Sequence, residues 1–328
     1  MKMQKIAPIG YGLLLLALLV APFVGAYPIF VMKLLCFALF AVAFNLLLGY
    51  TGLLSFGHAA FLGGAAYVCG HVVKEWSATP EIGLLAGTAS GALLGLVMGW
   101  FTIRRQGIYA TMITLALAQM LFFACLQAPF TGGEDGLQGV PRGKLFGLLD
   151  LSNDMVMYYV TVAIVVVGFL LIVRTIHSPF GQVLKGIKEN EARATSLGYD
   201  TNRFKLLAFV ISAAIAGLAG ALKTLVLGFA TLSDVHWSMS GHVVLMTLVG
   251  GMGTLSGPLV GAAVVVALEN KIGDLGAWLA KTTGLEWFGS LGESVTIVTG
   301  LIFIVCVLAF RRGIMGELIA WLQGRGKP

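Results

Sequence analysis

The chain has 328 residues, of which 58% are hydrophobic and only 11% charged, and its mean hydropathy is +0.92. Several apolar runs of about 18 residues or more exclude a soluble core and require a polytopic helical membrane protein. The net charge of +6 and pI near 9.2 do not mark a nucleic-acid binder, because the basic residues fall between apolar spans and at the chain ends, where they read as topology signals.

Membrane spans are predicted near Ile6–Ala26, Pro28–Leu48, Gly52–Val73, Ile82–Ile103, Ile108–Ala128, Met155–Val173, Leu206–Leu227 and Ser294–Phe310, with a broken segment at Met239–Glu269. The reading is all-α: one membrane domain over residues 1–328 with about 8–10 transmembrane helices, glycine-broken or re-entrant segments included. The first run follows Lys2 and Lys5, and its length and the lack of a small-x-small cleavage site make it a retained span, not a secretory signal. Lys2, Lys5, Arg104, Arg105, the loop 174–205, Arg311, Arg312, Arg325 and Lys327 all fall on one side if the broken segment enters and leaves on the opposite face. The positive-inside rule makes that side the cytoplasm, with both termini there and the loop 129–154 outside. Trp76, Trp237, Trp278 and Trp287 then mark the outer boundary and Trp100 and Trp321 the inner one, while Lys33 and Lys223 snorkel from outer helix ends. Cys36, Cys69, Cys125 and Cys306 lie singly in apolar runs and read as small core residues, with neither a disulfide nor a metal site.

Within the stretch Phe44–Tyr67, Gly49, Gly52 and Gly57 weaken the helix where Asn45, Thr51, Ser55 and His58 place polar groups at membrane depth. Unwound backbone in a bilayer is tolerated only inside protein or along a wet cavity, so this stretch is a candidate translocation path. For any single one of these side chains, bonding back to its own helix is the commoner role, and a lone His58 is more often a core histidine than a proton carrier. Next, Gly83, Gly87, Gly91, Gly95 and Gly99 recur at every fourth residue and form a stripe along which another helix can approach closely. After Arg104 and Arg105, the stretch Gly107–Gln119 carries Thr111 and Thr114 on one face. Gln119, off that line near mid-depth, needs partners among other helices or in a water-filled route. Asn45, Thr51, Ser55, Thr114 and Gln119 are accordingly the candidate path residues.

The loop Thr131–Pro141 is rich in glycine turns, with Glu134 and Asp135 making an acidic spot; it is no phosphate loop, since the chain has no Gly-x-x-x-x-Gly-Lys-Ser/Thr. The largest polar island is Arg174–Lys205. Within it Phe180, Val183, Leu184, Ile187, Ala194 and Leu197 follow helical spacing, predicting one short amphipathic helix that starts after Ser178-Pro179 and ends at Gly198. Glu189 and Arg193, four apart, are placed to pair along its polar face. On pattern alone this helix serves equally well on a membrane surface or as a docking element. In the stretch Met239–Ala263, Gly250-Gly251 and Pro258 argue against a continuous helix. Gly253–Gly257 followed by Gly261 echoes Gly52–Gly57 followed by Gly64, hinting at an internal repeat, although glycine bias alone produces such echoes.

Ser178–Gly181, Ile187–Ala194, Leu197-Gly198 and Lys205–Leu222, together with Phe44–Tyr67, Gly107–Gln119, Thr131–Pro141 and Met239–Ala263, resemble in order the LivM branch of the branched-chain amino acid ABC-transporter permeases. The resemblance covers most of the chain from about Asn45 to Glu269. It implies a permease of type II ABC importer architecture in a bacterial inner membrane, with Gln182–Gly198 as a coupling helix seated in a groove of a separate ATPase. The coupling contact would fall on Ile187, Glu189, Glu191 and Arg193. The implied partners are a LivH-like permease, LivG- and LivF-like ATPases that bind the ATP and magnesium, and a periplasmic binding protein; this chain itself carries no cofactor and is not an enzyme. Leucine, isoleucine and valine are the implied cargo, with urea, amides and aromatic amino acids as alternatives. An ion-coupled transporter is disfavoured because the spans before Glu269 contain no Asp or Glu. An intramembrane enzyme is disfavoured because neither Ser55/His58 nor Ser240/His242 has a carboxylate nearby in sequence.

Overall fold

The computed structural model describes residues 14–25, 27–105, 107–283 and 313–322, together with residues 12, 300, 301, 303, 304 and 308. The predicted span Ser294–Phe310 lies mostly outside the described residues, as do the start of Ile6–Ala26 and the basic residues at both chain ends. A short apolar helical stretch, Leu14–Val24, leads into α1 (Pro28–Thr51), which Pro28 opens at its first position and Gly52 closes at φ 75°. Residues 52–57 are unwound, and α2 (His58–Lys74) resumes after them, so the predicted span Gly52–Val73 is a helix preceded by an extended entry. Then come α3 (Pro80–Thr102), α4 (Ile108–Gln127), a two-stranded hairpin of β1 (Lys144–Leu145) and β2 (Leu149–Asp150), and α5 (Asp154–His177). The chain continues through α6 (Pro179–Glu189), α7 (Glu191–Ser196), α8 (Thr201–Leu227), α9 (Trp237–Gly250), α10 (Gly257–Thr283) and α11 (Gly313–Leu322). Among the described residues α1, α3, α4, α5 and α8 are long and apolar enough to cross a membrane, and this is a polytopic helical membrane protein.

Helix α8 is the axis of the bundle, packed against α1, α2 and α3. The glycine stripe explains its contact with α3. All five stripe glycines are buried; a Cβ added at Gly91 would lie 2.8 Å from the Ala213 carbonyl oxygen and 2.9 Å from Gly217 Cα, and one at Gly87 would lie 2.6 Å from Ala221 Cβ. Two backbones thus meet where side chains would hold them apart, and dispersion replaces the hydrophobic drive that lipid cannot supply. At Gly83 the neighbours are Cys69 and Val73, so the stripe's first member receives α2 instead. Cys36, Cys69 and Cys125 are buried free thiols in this packing.

The broken segment folds as a helical hairpin. Gly250 faces Gly257 and Gly261, and Met246 faces Gly261, which sets α9 antiparallel to α10 around the turn 251–256. Pro258 is the second residue of α10, where its missing N–H has no helical partner to lose. The second arm is not short: α10 runs on past Glu269 to Thr283.

Two expectations are corrected. The amphipathic pattern after Ser178 begins as predicted, with the Ser178 hydroxyl accepting from the Gly181 amide and Pro179 in the first turn, but it makes two helices. Asn190, extended at φ −159°, ψ 98°, ends α6 and caps α7 by accepting from the Arg193 amide at 2.9 Å. Glu189 and Arg193 therefore do not share one helix, and the ion pairs formed in this stretch include Glu191 with Lys205 at 2.5 Å and Asp200 with Arg203 at 2.8 Å. Nor does Lys223 snorkel. It is buried near the end of α8 and pairs with the equally buried Asp234, whose other oxygen accepts from the Thr231 amide at 3.3 Å and its hydroxyl at 3.1 Å.

Candidate functional site: the junction of the two broken segments

Helix α1 ends where the α9–α10 turn arrives, and one side chain holds the two together. The Asn45 amide donates to the Thr254 carbonyl at 2.8 Å and accepts from the Gly253 amide at 2.9 Å, so a primary amide matches both backbone groups of the turn. Gly49 makes room for this approach, since a Cβ there would lie 2.8 Å from Gly253 N and would collide with the Asn45 amide itself.

The unwound residues 52–57 leave backbone groups that a bilayer cannot hydrate, and neighbouring hydroxyls take them. The Phe56 amide donates to Thr114 Oγ1 at 3.1 Å, and Thr114 in turn donates to the Thr111 carbonyl at 2.8 Å. Ser240 of α9 accepts from the Ala59 amide at 2.9 Å and donates to the Phe56 carbonyl at 2.8 Å. Ser55 accepts from the Gly57 amide at 3.1 Å, and Thr51 donates back to the Leu47 carbonyl. Behind this segment, Ser212 donates to the Ala43 carbonyl at 2.6 Å and sits 2.9 Å from His58 Nε2. With the serine hydrogen so engaged, Nε2 carries the proton and donates to Ser212. His58 is wholly buried, edge-on to Phe44 and Phe61 at centroid distances of 4.8 and 5.3 Å. It is a core histidine that pins α2 to α8.

The structure thus gathers Asn45, Thr51, Ser55 and Thr114 around one irregular segment, but it buries all four and engages them with backbone. Gln119 stands apart, half-buried on α4. Sequence reading missed Ser212 and the structural use of Ser240. An isolated serine on an apolar helix is the only local signal, and its partner lies 184 residues away for Ser240 and 169 for Ser212. Of the paired Ser55/His58 and Ser240/His242 spacings, Ser240 is engaged with backbone on both sides and Ser55 accepts from the Gly57 amide, while His242 lies 3.0 Å from Glu269, a carboxylate that the sequence spacing does not show.

At the end of the bundle where α1 terminates, α6 turns Leu184 and Ile187 into the chain against α1, α5 and α8. Ile187 is 3% exposed and offers nothing outward, whereas Glu189 and Arg193 are exposed and Glu191 is half-buried. Between α6 and α7 lies a concave groove of about 380 Å³ lined by Gln182, Gly186, Glu189, Asn190, Arg193 and Leu197. At the opposite end, the loop after α4 is bound to the loop after α8, with Leu137 and Ala230 exchanging backbone hydrogen bonds at 2.9 Å and the Val140 amide donating to Gly228 at 2.8 Å. Lys74 donates to the Gln138 carbonyl at 2.9 Å, while Glu134 and Asp135 stay exposed.

A family model described as branched-chain amino acid transport system / permease component matches residues 12–309. Over 266 residues the chain is 27% identical to the high-affinity branched-chain amino acid transport system permease protein LivM of Escherichia coli (strain K12), covering 73% of this chain and 61% of that protein. It is 29% identical over 202 residues to the autoinducer 2 import system permease protein LsrC of Klebsiella pneumoniae, covering 58% of this chain and 53% of that one. To the ribose import permease protein RbsC of Haemophilus influenzae it is 23% identical over 199 residues, covering 58% of each. The match thus spans 61% of the length of the LivM proteins. No solved structure matches the chain. With residues 12–309 matched by one family model and the chain folded as a glycine-broken helical bundle, it belongs to the branched-chain amino acid transport system permease component family.

Proposed function

We propose that this chain forms half of the translocation pore of an ATP-driven importer in a bacterial inner membrane and carries a small zwitterion of the leucine, isoleucine and valine class. A LivH-like permease supplies the other half, LivG- and LivF-like ATPases bind ATP and magnesium, and an external binding protein delivers the cargo. The observation that supports this reading is the α6–α7 unit: its apolar face is seated on α1, α5 and α8, and its groove of mixed apolar and charged lining, with Glu189 and Arg193 at its edge, is open on the other side. On this reading the loop 174–205 is cytoplasmic, both termini lie on that side, and 129–154 faces the binding protein with Glu134 and Asp135. The whole chain, 1–328, acts as one membrane domain, and it takes no part in the ATP chemistry. A hydroxylated cargo is the second reading, supported by the likeness to permeases named for ribose and autoinducer 2.

Exposed charges at a docking face set orientation, and juxtaposed like charges cost several kcal/mol. Joint reversal of Glu189 and Arg193 (Glu189→Arg with Arg193→Glu) is therefore expected to cut co-purification of the ATPases by about tenfold or more while the chain still folds. The complex from the native host should hydrolyse ATP faster when a leucine-loaded binding protein is added. A chain that purified alone and moved amino acids down an ion gradient in liposomes would sink the importer reading. Stimulation by ribose and not leucine would favour the second cargo.

A further inference from the structure

A continuing helix would give the Gly49 carbonyl to the Leu53 amide. Here α1 stops at Gly52, the Leu53 amide bonds instead to the Leu47 carbonyl at 3.3 Å, and Gly49 is left with an orphan carbonyl at a helix C-terminus. That carbonyl is taken by Lys188, whose ammonium reaches from α6 and donates to it at 2.7 Å. A cation is the favoured partner at this pole of a helix. The lysine stem lies across Gly52, where an added Cβ would come within 3.2 Å of Lys188 Cγ. One turn earlier on α6, Lys185 holds its ammonium 5.8 Å from the centre of the Tyr50 ring. Two side chains of α6 therefore grip the last turn of α1.

The same place receives the other broken segment. A Cβ at Gly253 would lie 3.5 Å from the Gly49 carbonyl oxygen and 4.0 Å from Lys188 Nζ, and Asn45, one turn before Gly49, holds Gly253 and Thr254 through two hydrogen bonds. On its far side the turn is backed by α11, with Gly313 at φ 72° pressed against the Gly251 backbone. The ammonium of Lys188 is thus one bond from the end of α1 and, through Asn45, two steps from the tip of the α9–α10 hairpin.

We propose that Lys188 is the positioning residue that transmits displacement of α6 to both broken segments, so that motion at the docking unit is turned into movement of the pore-forming turns. This rests on the reading of α6 as the element an ATPase moves. Glu189 and Arg193 face outward to the partner; the Lys188 ammonium turns back to the end of α1. Without its ammonium, α6 keeps its apolar seat and the Lys185 contact with Tyr50 but loses the hydrogen bond that ties it to the α1 backbone, so its displacement is passed on less fully.

The test uses the complete transporter in liposomes, with ATP hydrolysis and leucine uptake measured together for Lys188→Met, Lys188→Arg and the unaltered chain. Lys188→Met is expected to retain both ATPases and hydrolyse ATP while its uptake per ATP falls about tenfold, and Lys188→Arg is expected to restore most of the ratio. Lys188 is exposed apart from this contact, so the methionine variant keeps the fold. An unchanged ratio in Lys188→Met would show the contact to be idle and overturn the proposal. Loss of the ATPases from Lys188→Met would also overturn it, since the residue would then act in docking and not in transmission. If the unaltered chain recovered no ATPase, the importer reading itself would fail and the link with it.

Discussion

Lys223→Met or Asp234→Asn alone is expected to cost the folded chain about 3–5 kcal/mol, and the double replacement by methionine and leucine to recover most of that loss. The argument is one of desolvation. Both groups are nearly sealed from solvent, so each charge is tolerated only because the other is present; the second carboxylate oxygen is spent on Thr231, and the Phe37 ring lies 5.7 Å from the ammonium. Removing one member strands its partner, whereas removing both leaves an apolar site of similar volume. The pair ties the end of α8 to the loop that launches α9, and the same loop is pressed against Gly63, where an added Cβ would lie 2.7 Å from Val235 N. Thermal unfolding of the detergent-solubilised chain should show midpoints lowered by about 10 °C in the single variants and by much less in the double. Equal midpoints in all four proteins would mean that the pair contributes nothing beyond filling space.

Gly261→Ala should abolish uptake, while Gly241→Ala, on the facing arm of the same hairpin, should leave it within about twofold of the unaltered chain. At Gly261 a Cβ would sit on the Met246 carbonyl oxygen and 2.8 Å from Gly250 N, both backbone atoms that cannot swing aside as a side-chain tip can. Relief requires α9 and α10 to part, which withdraws Gly253 and Thr254 from Asn45. At Gly241 nothing lies within 4 Å, so the added methyl meets open space and the helix gains about 1 kcal/mol of intrinsic propensity. Uptake of radiolabelled leucine in cells, with membrane levels of each variant checked by immunoblot, separates the two. Full uptake in Gly261→Ala would mean that the hairpin is looser than its packing implies.

Features with a local period were legible in the sequence. The four-residue recurrence from Gly83 to Gly99 places small residues on one face, and the structure seats α8 there. Ser178-Pro179 starts a helix wherever its hydroxyl and ring land, and Gly250-Gly251 with Pro258 cannot sit in one unbroken helix. What stayed hidden depends on distant partners. The break at Asn190 falls inside an apolar pattern that continues through Ala194, and spacing alone does not show an extended residue between two short helices. Lys223 sits where snorkelling lysines sit, and only the fold shows that its end of α8 is covered and that Asp234 is waiting there. That Asn45 clamps Gly253 and Thr254 was hidden because those partners lie more than 200 positions further on.

The unwound entry to α2 has a further consequence. Its amides at Phe56 and Ala59 are held by hydroxyls of α4 and α9, not by a helical ladder, and those hydroxyls belong to elements on two sides of the segment. A helix would keep its amide hydrogens through any rigid-body movement; these two surrender theirs as soon as α4 and α9 separate. Their isotope exchange with solvent deuterium is therefore a clock for opening, slow while the segment is clasped and fast each time the bundle parts around it.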